Sequence, residues 1–139
     1  MSFYIFDTDH LSLFERNHPQ LVACLQQSTS YPLARTIITA EEKFRGRFAS
    51  IRAAKSEAQL IEAYRWFDFS FTSVHQFHLL AYDERASEIY ASMRSLRFRV
   101  GTQDWRIAAI TLAVGGILLT RNRRDFEQIP NLPHQDWTI

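Results

Sequence analysis

The chain has 139 residues and only one cysteine, Cys24. One cysteine excludes an internal disulfide and any cysteine-built zinc site, and a reducing compartment is the simplest inference. Lysine is nearly missing. Two of the 16 basic residues are Lys (Lys43 and Lys55) and the other 14 are Arg, a bias towards the side chain that pairs bidentately with carboxylate and phosphate. A net charge of only +1 leaves no polyanion-binding signature in the total. No apolar run approaches the roughly 20 residues a membrane helix needs. The longest, Ile107 to Leu119, is broken by Gly115-Gly116. The apolar Met1–Phe6 has no basic segment before it and meets Asp7 and Asp9 at once, so it does not read as a signal peptide. The expectation is a cytoplasmic protein that does not engage a membrane.

With 46% hydrophobic and 22% charged residues the balance is that of an ordinary globular chain and argues against disorder. The length fits one domain over residues 1–139, able to bury roughly two-thirds of its unfolded surface without a disulfide. No repeat, linker or low-complexity segment is visible.

Phe3-Tyr4-Ile5-Phe6 reads as a buried parallel strand, being a continuous run of β-formers closed by Asp7-Thr8-Asp9. Thr8 or Asp9 can cap a helix through Leu11, Leu13 and Phe14. Pro19 suits the first turn of the next, with Leu21, Val22 and Leu25 on one face. Thr36–Thr39 reads as a second strand, followed from about Ala40 by a helix with Phe44 and Phe48 four apart. Glu57–Trp66 reads as a helix and Phe69–Val74 as a third strand. Helices are expected over Asp83–Leu96 and from Thr102 or Gln103 to Gly115-Gly116. Ile117–Thr120 reads as a fourth strand, Asn122–Phe126 as a loop or short helix, and Trp137–Ile139 as an edge strand. Short apolar strands alternating with helices mean an α/β fold with a parallel sheet and helices on both faces.

In open α/β sheets, ligands collect beyond the carboxyl ends of the strands. Asp7 follows the first strand, Glu41 and Glu42 follow the second, and Asn122 and Asp125 follow the fourth. Asp104 opens the helix that feeds the fourth strand. If these groups converge, they form an acidic cluster that cannot stay fully ionised without a cation. Hard oxygen donors of this kind suit Mg2+ or Mn2+. Taken singly, each acid also fits a helix cap, a first-turn position favoured by the helix dipole, or a loop.

Four segments, in order, resemble the PIN domain, most closely the VapC-like toxin ribonucleases of bacterial type II toxin–antitoxin pairs. They are Phe6-Asp7-Thr8-Asp9-His10-Leu11-Ser12, Thr39-Ala40-Glu41-Glu42-Lys43-Phe44-Arg45-Gly46, Gly101-Thr102-Gln103-Asp104-Trp105-Arg106-Ile107-Ala108-Ala109 and Leu119-Thr120-Arg121-Asn122-Arg123-Arg124-Asp125-Phe126. Leu132 to Trp137 resembles the family's closing Leu…Trp, so the likeness spans nearly the whole chain. It implies a three-layer α/β/α fold around a mostly parallel sheet of four to five strands. Asp7, Glu42 and Asp104 match the family's first three acids. Glu42 is placed by its spacing before Gly46, with Glu41 as the fallback. Asp125 matches the fourth acidic position, a role that Asn122 or Thr120 can share. Two departures stand out. Asp9 replaces the commoner Asn and adds negative charge, and Lys43 replaces the usual Leu, leaving the Glu41/Glu42 register open.

The resemblance further implies one or two Mg2+ or Mn2+ ions held by Asp7, Asp104 and Glu42, with water oriented for in-line attack on an RNA phosphodiester. Arg45, Arg47, Arg121, Arg123 and Arg124 are candidates to dock the RNA, a structured RNA such as tRNA. A cognate antitoxin and a homodimer are implied as partners.

Other classes fit less well. Asp7-Thr8-Asp9 mimics the Asp-x-Asp of haloacid-dehalogenase-like phosphatases, but these, like receiver domains, need a late lysine, and none follows Lys55. A non-catalytic PIN-like binding protein is opposed by the intact acids. His75 and His78 stand at metal-pair spacing but read more simply as a strand-end pair without ligand duty. His10 is placed either to contact substrate or to pack on a helix surface, and Cys24 reads as a small buried apolar residue.

Overall fold

The computed structural model describes residues 2–27, 30–72, 77–97 and 99–139. Its five strands are β1 (Tyr4–Phe6), β2 (Leu33–Thr36), β3 (His78–Leu80), β4 (Ile117–Leu119) and β5 (His134–Gln135). They form one sheet in the order β3-β2-β1-β4-β5, every pairing parallel. The helices are α1 (Thr8–Glu15), α2 (Pro19–Gln27), α3 (Ile37–Ala53), α4 (Glu57–Thr72), α5 (Glu84–Arg94), α6 (Thr102–Val114) and α7 (Arg123–Phe126). The architecture is the three-layer α/β/α arrangement expected.

The two-residue period of a strand explains the layers. On β1, Ile5 faces one core with Ala34, Ile38, Ala108 and Leu118. Its neighbours Tyr4 and Phe6 face the other, with Leu11, Leu21, Leu119 and Trp137. Both faces of β1 are therefore buried, which is why its sequence is apolar without alternation. Burying each such large side chain contributes about 1.5–3 kcal/mol.

Side chains at the strand ends start the helices. Asp7 caps α1 by accepting from His10 N at 2.7 Å, and Thr36 caps α3 by accepting from Thr39 N at 3.1 Å. Gly115 ends α6 in the left-handed region at φ 66°, which glycine enters without a Cβ penalty. The next residue is glycine for a different reason. A Cβ on Gly116 would lie 2.6 Å from Ile5 Cδ1 and 3.2 Å from the Phe3 carbonyl oxygen.

Several sequence expectations are corrected. The β-branched Thr36–Thr39 is not a strand, because β2 ends at Thr36 and its hydroxyl turns Ile37 onward into α3, three residues before the expected start at Ala40. Phe69–Val74 is not a strand through its described part, since α4 runs on from Trp66 to Thr72 and β3 comes later. Helical i,i+4 spacing wins there: Phe67 and Phe71 lie 5.1 Å apart, and both pack on Phe44 of α3 at 6.1 and 5.2 Å. Ser73 and Val74 of that expected strand lie outside the described residues. The final strand is His134–Gln135 and not Trp137–Ile139, because the Asp136 carboxylate accepts from Thr138 N at 2.8 Å and turns the chain, while Trp137 packs 4.9 Å from Tyr4. The cap of α1 is Asp7, as the helix-cap reading of its carboxylate allowed, and not Thr8 or Asp9. Leu13 and Phe14 pack on the second core, and Cys24 beside them is half-buried. His78 is exposed on β3, and its expected companion His75 lies outside the described residues.

Candidate metal centre

All strands being parallel, their carboxyl ends share one edge. The topological switch point lies between β1 and β4, where successive connections leave in opposite directions. Asp7 follows β1 there, its backbone N–H extending the ladder to the Leu119 carbonyl at 3.1 Å. Its carboxyl is only 6% exposed. Burial pushes its pKa up to about 7, Asp9 and Asp104 push the same way, and bonds from the Thr120 hydroxyl and the His10 N–H oppose them.

Three more acids close the site. Asp104 enters from the first turn of α6, its pKa raised by burial and then by Glu42 and Asp125. Glu42, from α3, accepts from the Thr8 hydroxyl at 2.7 Å, and the Thr8 and Thr39 hydroxyl oxygens are 3.1 Å apart. Asp125, on α7, accepts from Asn122 Nδ2 at 3.0 Å, while Asn122 N donates to the Thr120 hydroxyl at 2.9 Å. Asp104 thus stands within electrostatic reach of Asp7, of Glu42 and of Asp125. The structure also separates the two neighbouring glutamates: Glu41 is exposed and accepts from Arg45 Nη2 at 2.9 Å and Gln103 Nε2 at 2.8 Å.

A tighter set of possible ligand atoms belongs to Asp7, Asp9 and His10, all within 4.8 Å of one another, and no other such trio is as close among the described residues. Two of its members are engaged elsewhere. Asp9 forms a bidentate pair with Arg121, at 2.7 and 2.9 Å. His10 is fully buried rather than on a helix surface or open to substrate. Its Nε2 accepts from Trp137 N at 3.2 Å, which leaves the proton of the neutral ring on Nδ1, 3.7 Å from an Asp7 oxygen and without a hydrogen-bond partner. Burial holds the His10 pKa down. The donor set around Asp7 is thus carboxylate oxygen, crowded and partly dehydrated, and it fits a hard divalent cation.

The arginines divide. Arg123 and Arg124 are exposed on α7, with Arg123 reaching Glu127 at 3.2 Å. Arg45 is exposed beside Glu41, and Arg121 is half-exposed on Asp9. Arg47 turns away from the acids: its Nε donates to Ser70 Oγ at 2.9 Å, Nη2 reaches Glu15 at 3.4 Å, and its guanidinium lies 5.0 Å over the Trp66 ring. Sequence reasoning missed the hydroxyls of Thr8 and Thr39 and the His10–Trp137 bond. The available signal was a threonine close to an acid in each segment, Thr8 next to Asp7 and Thr39 two residues before Glu41.

No protein-family model and no curated protein sequence matches this chain. Solved structures do match its fold. The DNA-bound VapBC from Salmonella typhimurium aligns at 25% identity and TM-score 0.79, covering 99% of each chain. VapBC-1 from nontypeable Haemophilus influenzae aligns at 21% identity and TM-score 0.79, again over 99% of each chain. VapBC-5 from Mycobacterium tuberculosis, a member of the VapBC family of toxin-antitoxin systems, aligns at 19% identity and TM-score 0.58 over 98% of each. The resemblance drawn from the sequence motifs is borne out by these structural neighbours. No helix among the described residues is long and apolar enough to cross a membrane.

Proposed function

We propose that this chain is a PIN-domain toxin of a toxin–antitoxin pair, acting in the cytoplasm as a metal-dependent endoribonuclease on structured RNA such as tRNA. The observation that carries this reading is the Asp7 carboxyl, buried at the switch point and raised to about 7 by burial and by the neighbouring Asp9 and Asp104. Such a group is kept at a strand end where an apolar residue or an amide would serve the fold better, and a divalent cation makes its charge tolerable.

Asp7, Glu42 and Asp104 would hold one or two Mg2+ or Mn2+ ions, with Asp125 as the fourth acid. When bound, the metal supplies Lewis-acid chemistry, lowering the proton affinity of a water and offsetting charge on the scissile phosphate. The chain's own groups do the rest. Thr8 fixes the Glu42 carboxylate, Asn122 fixes Asp125, and His10 N together with Thr120 fixes Asp7. Phosphates flanking the scissile bond would dock on Arg45, Arg123 and Arg124, with Arg121 available when it leaves Asp9. Arg47, committed to Glu15 and Trp66, has no part in that docking. A cognate antitoxin would mask the acids, and a homodimer is the expected assembly.

The test is cleavage of a tRNA pool by purified chain in Mg2+ or Mn2+, with end-mapping of the products. The reading requires cleavage that EDTA abolishes and that Asp104→Asn removes. Equal cleavage in EDTA, or full activity of a folded Asp104→Asn protein, would overturn it.

A further inference from the structure

A second electrostatic anomaly lies away from the acids, under α1 and α4. Arg35, on β2, is 4% exposed, and its Nε has no hydrogen-bond partner among the described residues. Burial depresses its pKa, and Glu15 is the acid that opposes this. Glu15 is already engaged. Its Oε1 accepts from Lys43 Nζ at 2.5 Å and lies 3.4 Å from Arg47 Nη2. All three of these side chains are themselves largely buried: Glu15 is 6%, Lys43 10% and Arg47 16% exposed. Three cations therefore draw on one carboxylate in the interior, and Glu15, hydrogen-bonded to Lys43 and Arg47, leaves the Arg35 Nε without a partner among the described residues, an arrangement a fold does not keep without cost.

Beside Arg35 is a cavity of about 180 Å³, walled by Leu11, Phe14, Phe69 and Phe77, with Glu15 and Thr72 also on its lining. We propose that this cavity binds a small monocarboxylate with an aromatic or branched apolar body, its carboxylate paired to Arg35. The chemistry of each wall selects that class. A planar carboxylate matches the guanidinium fork with two parallel hydrogen bonds and cancels one charge. Phosphate would bring more charge than Arg35 offsets, and the Thr72 hydroxyl, which also lines the cavity, already donates to the Phe69 carbonyl at 3.3 Å. A neutral ligand leaves the guanidinium unpaired. The leucine and three phenylalanines take the apolar body, and the volume admits one small molecule. This site shares no residue with the acid cluster and does not depend on the nuclease reading.

The probe is 3-phenylpropionate, with 3-phenylpropanamide as its uncharged counterpart, titrated into the full chain and followed by calorimetry and by NMR. The acid should saturate, raise the melting temperature and bind at least about tenfold more tightly than the amide, the difference one charge-assisted pair makes. The Arg35 Nε–H resonance and the Leu11 methyls should move. Arg35→Met should lose the preference for acid over amide while melting no lower than the parent, since it removes an unpaired buried charge. Equal binding of acid and amide, or no saturable binding, overturns the proposal. So do shifts confined to the other apolar cavity that Arg35 lines, at Ile37, Phe71 and Leu79. A lower melting temperature for Arg35→Met would mean that the guanidinium has an internal partner, and this too would end it. The Nε–H reading is made on the unaltered chain, so it decides even if the variant fails to fold.

Discussion

Asp7→Asn separates a residue kept for the fold from one kept against it. The Asp7 carboxyl has a pKa of about 7 in place of its ordinary 3.8. A gap of roughly three pH units at 1.36 kcal/mol each gives a ceiling of about 4 kcal/mol on the cost of holding it ionised in the metal-free protein. The sign follows from proton binding. Between pH 4 and pH 7 the folded chain keeps a proton that the unfolded chain has released. This group's contribution to stability is therefore full below about pH 4 and lost as pH rises through about 7. Asn removes the charge and keeps the cap, because its amide oxygen accepts the His10 N–H now bound by Asp7 at 2.7 Å. In urea titrations without metal, Asp7→Asn should exceed the parent at pH 8 by about 2–4 kcal/mol and match it near pH 4. Comparing variant with parent at each pH cancels the titration of every distant group. Mg2+ or Mn2+ should then stabilise the parent, by mass action on the folded state, and leave the variant unmoved. A variant less stable than the parent at pH 8, or a difference that does not change with pH, refutes the reasoning, because Asp7 would then be a structural acid that the fold prefers ionised.

Four further outcomes follow from the same contacts. Thr8→Val removes the 2.7 Å bond to Glu42, and Mg2+ affinity, read as the metal dependence of cleavage, should fall about 10–100-fold with little change in melting temperature. Asp104→Asn should abolish cleavage while circular dichroism is unchanged. Asp9→Asn frees Arg121 from its exposed bidentate pair, so RNA should bind more tightly, with a salt slope steeper by about one phosphate contact, while the melting temperature barely changes. Gly116→Ala should cost about 1–3 kcal/mol by denaturant melt, part of it recovered by Ile5→Val, which deletes the Cδ1 that the new Cβ would strike at 2.6 Å.

The sheet was legible because burial on both faces leaves a compositional mark. Phe3–Phe6 and Ile117–Leu119 are unbroken apolar runs, and they hold the central strands β1 and β4. The errors fell where two patterns overlap. Phe67 and Phe71 satisfy a four-residue helical spacing, whereas Phe69 and Phe71 satisfy alternation. The choice was made by tertiary packing on Phe44, which no local window contains. Thr36–Thr39 failed for a different reason: a threonine is both a β-former and a helix cap, and here the cap won.

The candidate site was legible as residue types at strand ends, and less so as directions. Glu42 faces the acids and Arg47 does not, although both lie on α3. Five residues at 100° each turn a side chain by about 140° from its starting face, so proximity in sequence to Glu42 does not put Arg47 on the same side of α3. His10 shows a limit that no such arithmetic removes. Its bond partner, Trp137, sits 127 residues away and reaches it only because β5 pairs with β4 and the Asp136 turn folds the tail inward. The tail thus fixes which nitrogen of His10 carries the proton, and that nitrogen faces Asp7. The residues that set the charge of the acid cluster are spread over both ends of the chain. A motif read from the first strand alone names the acid but not the neighbours that decide whether it is ionised.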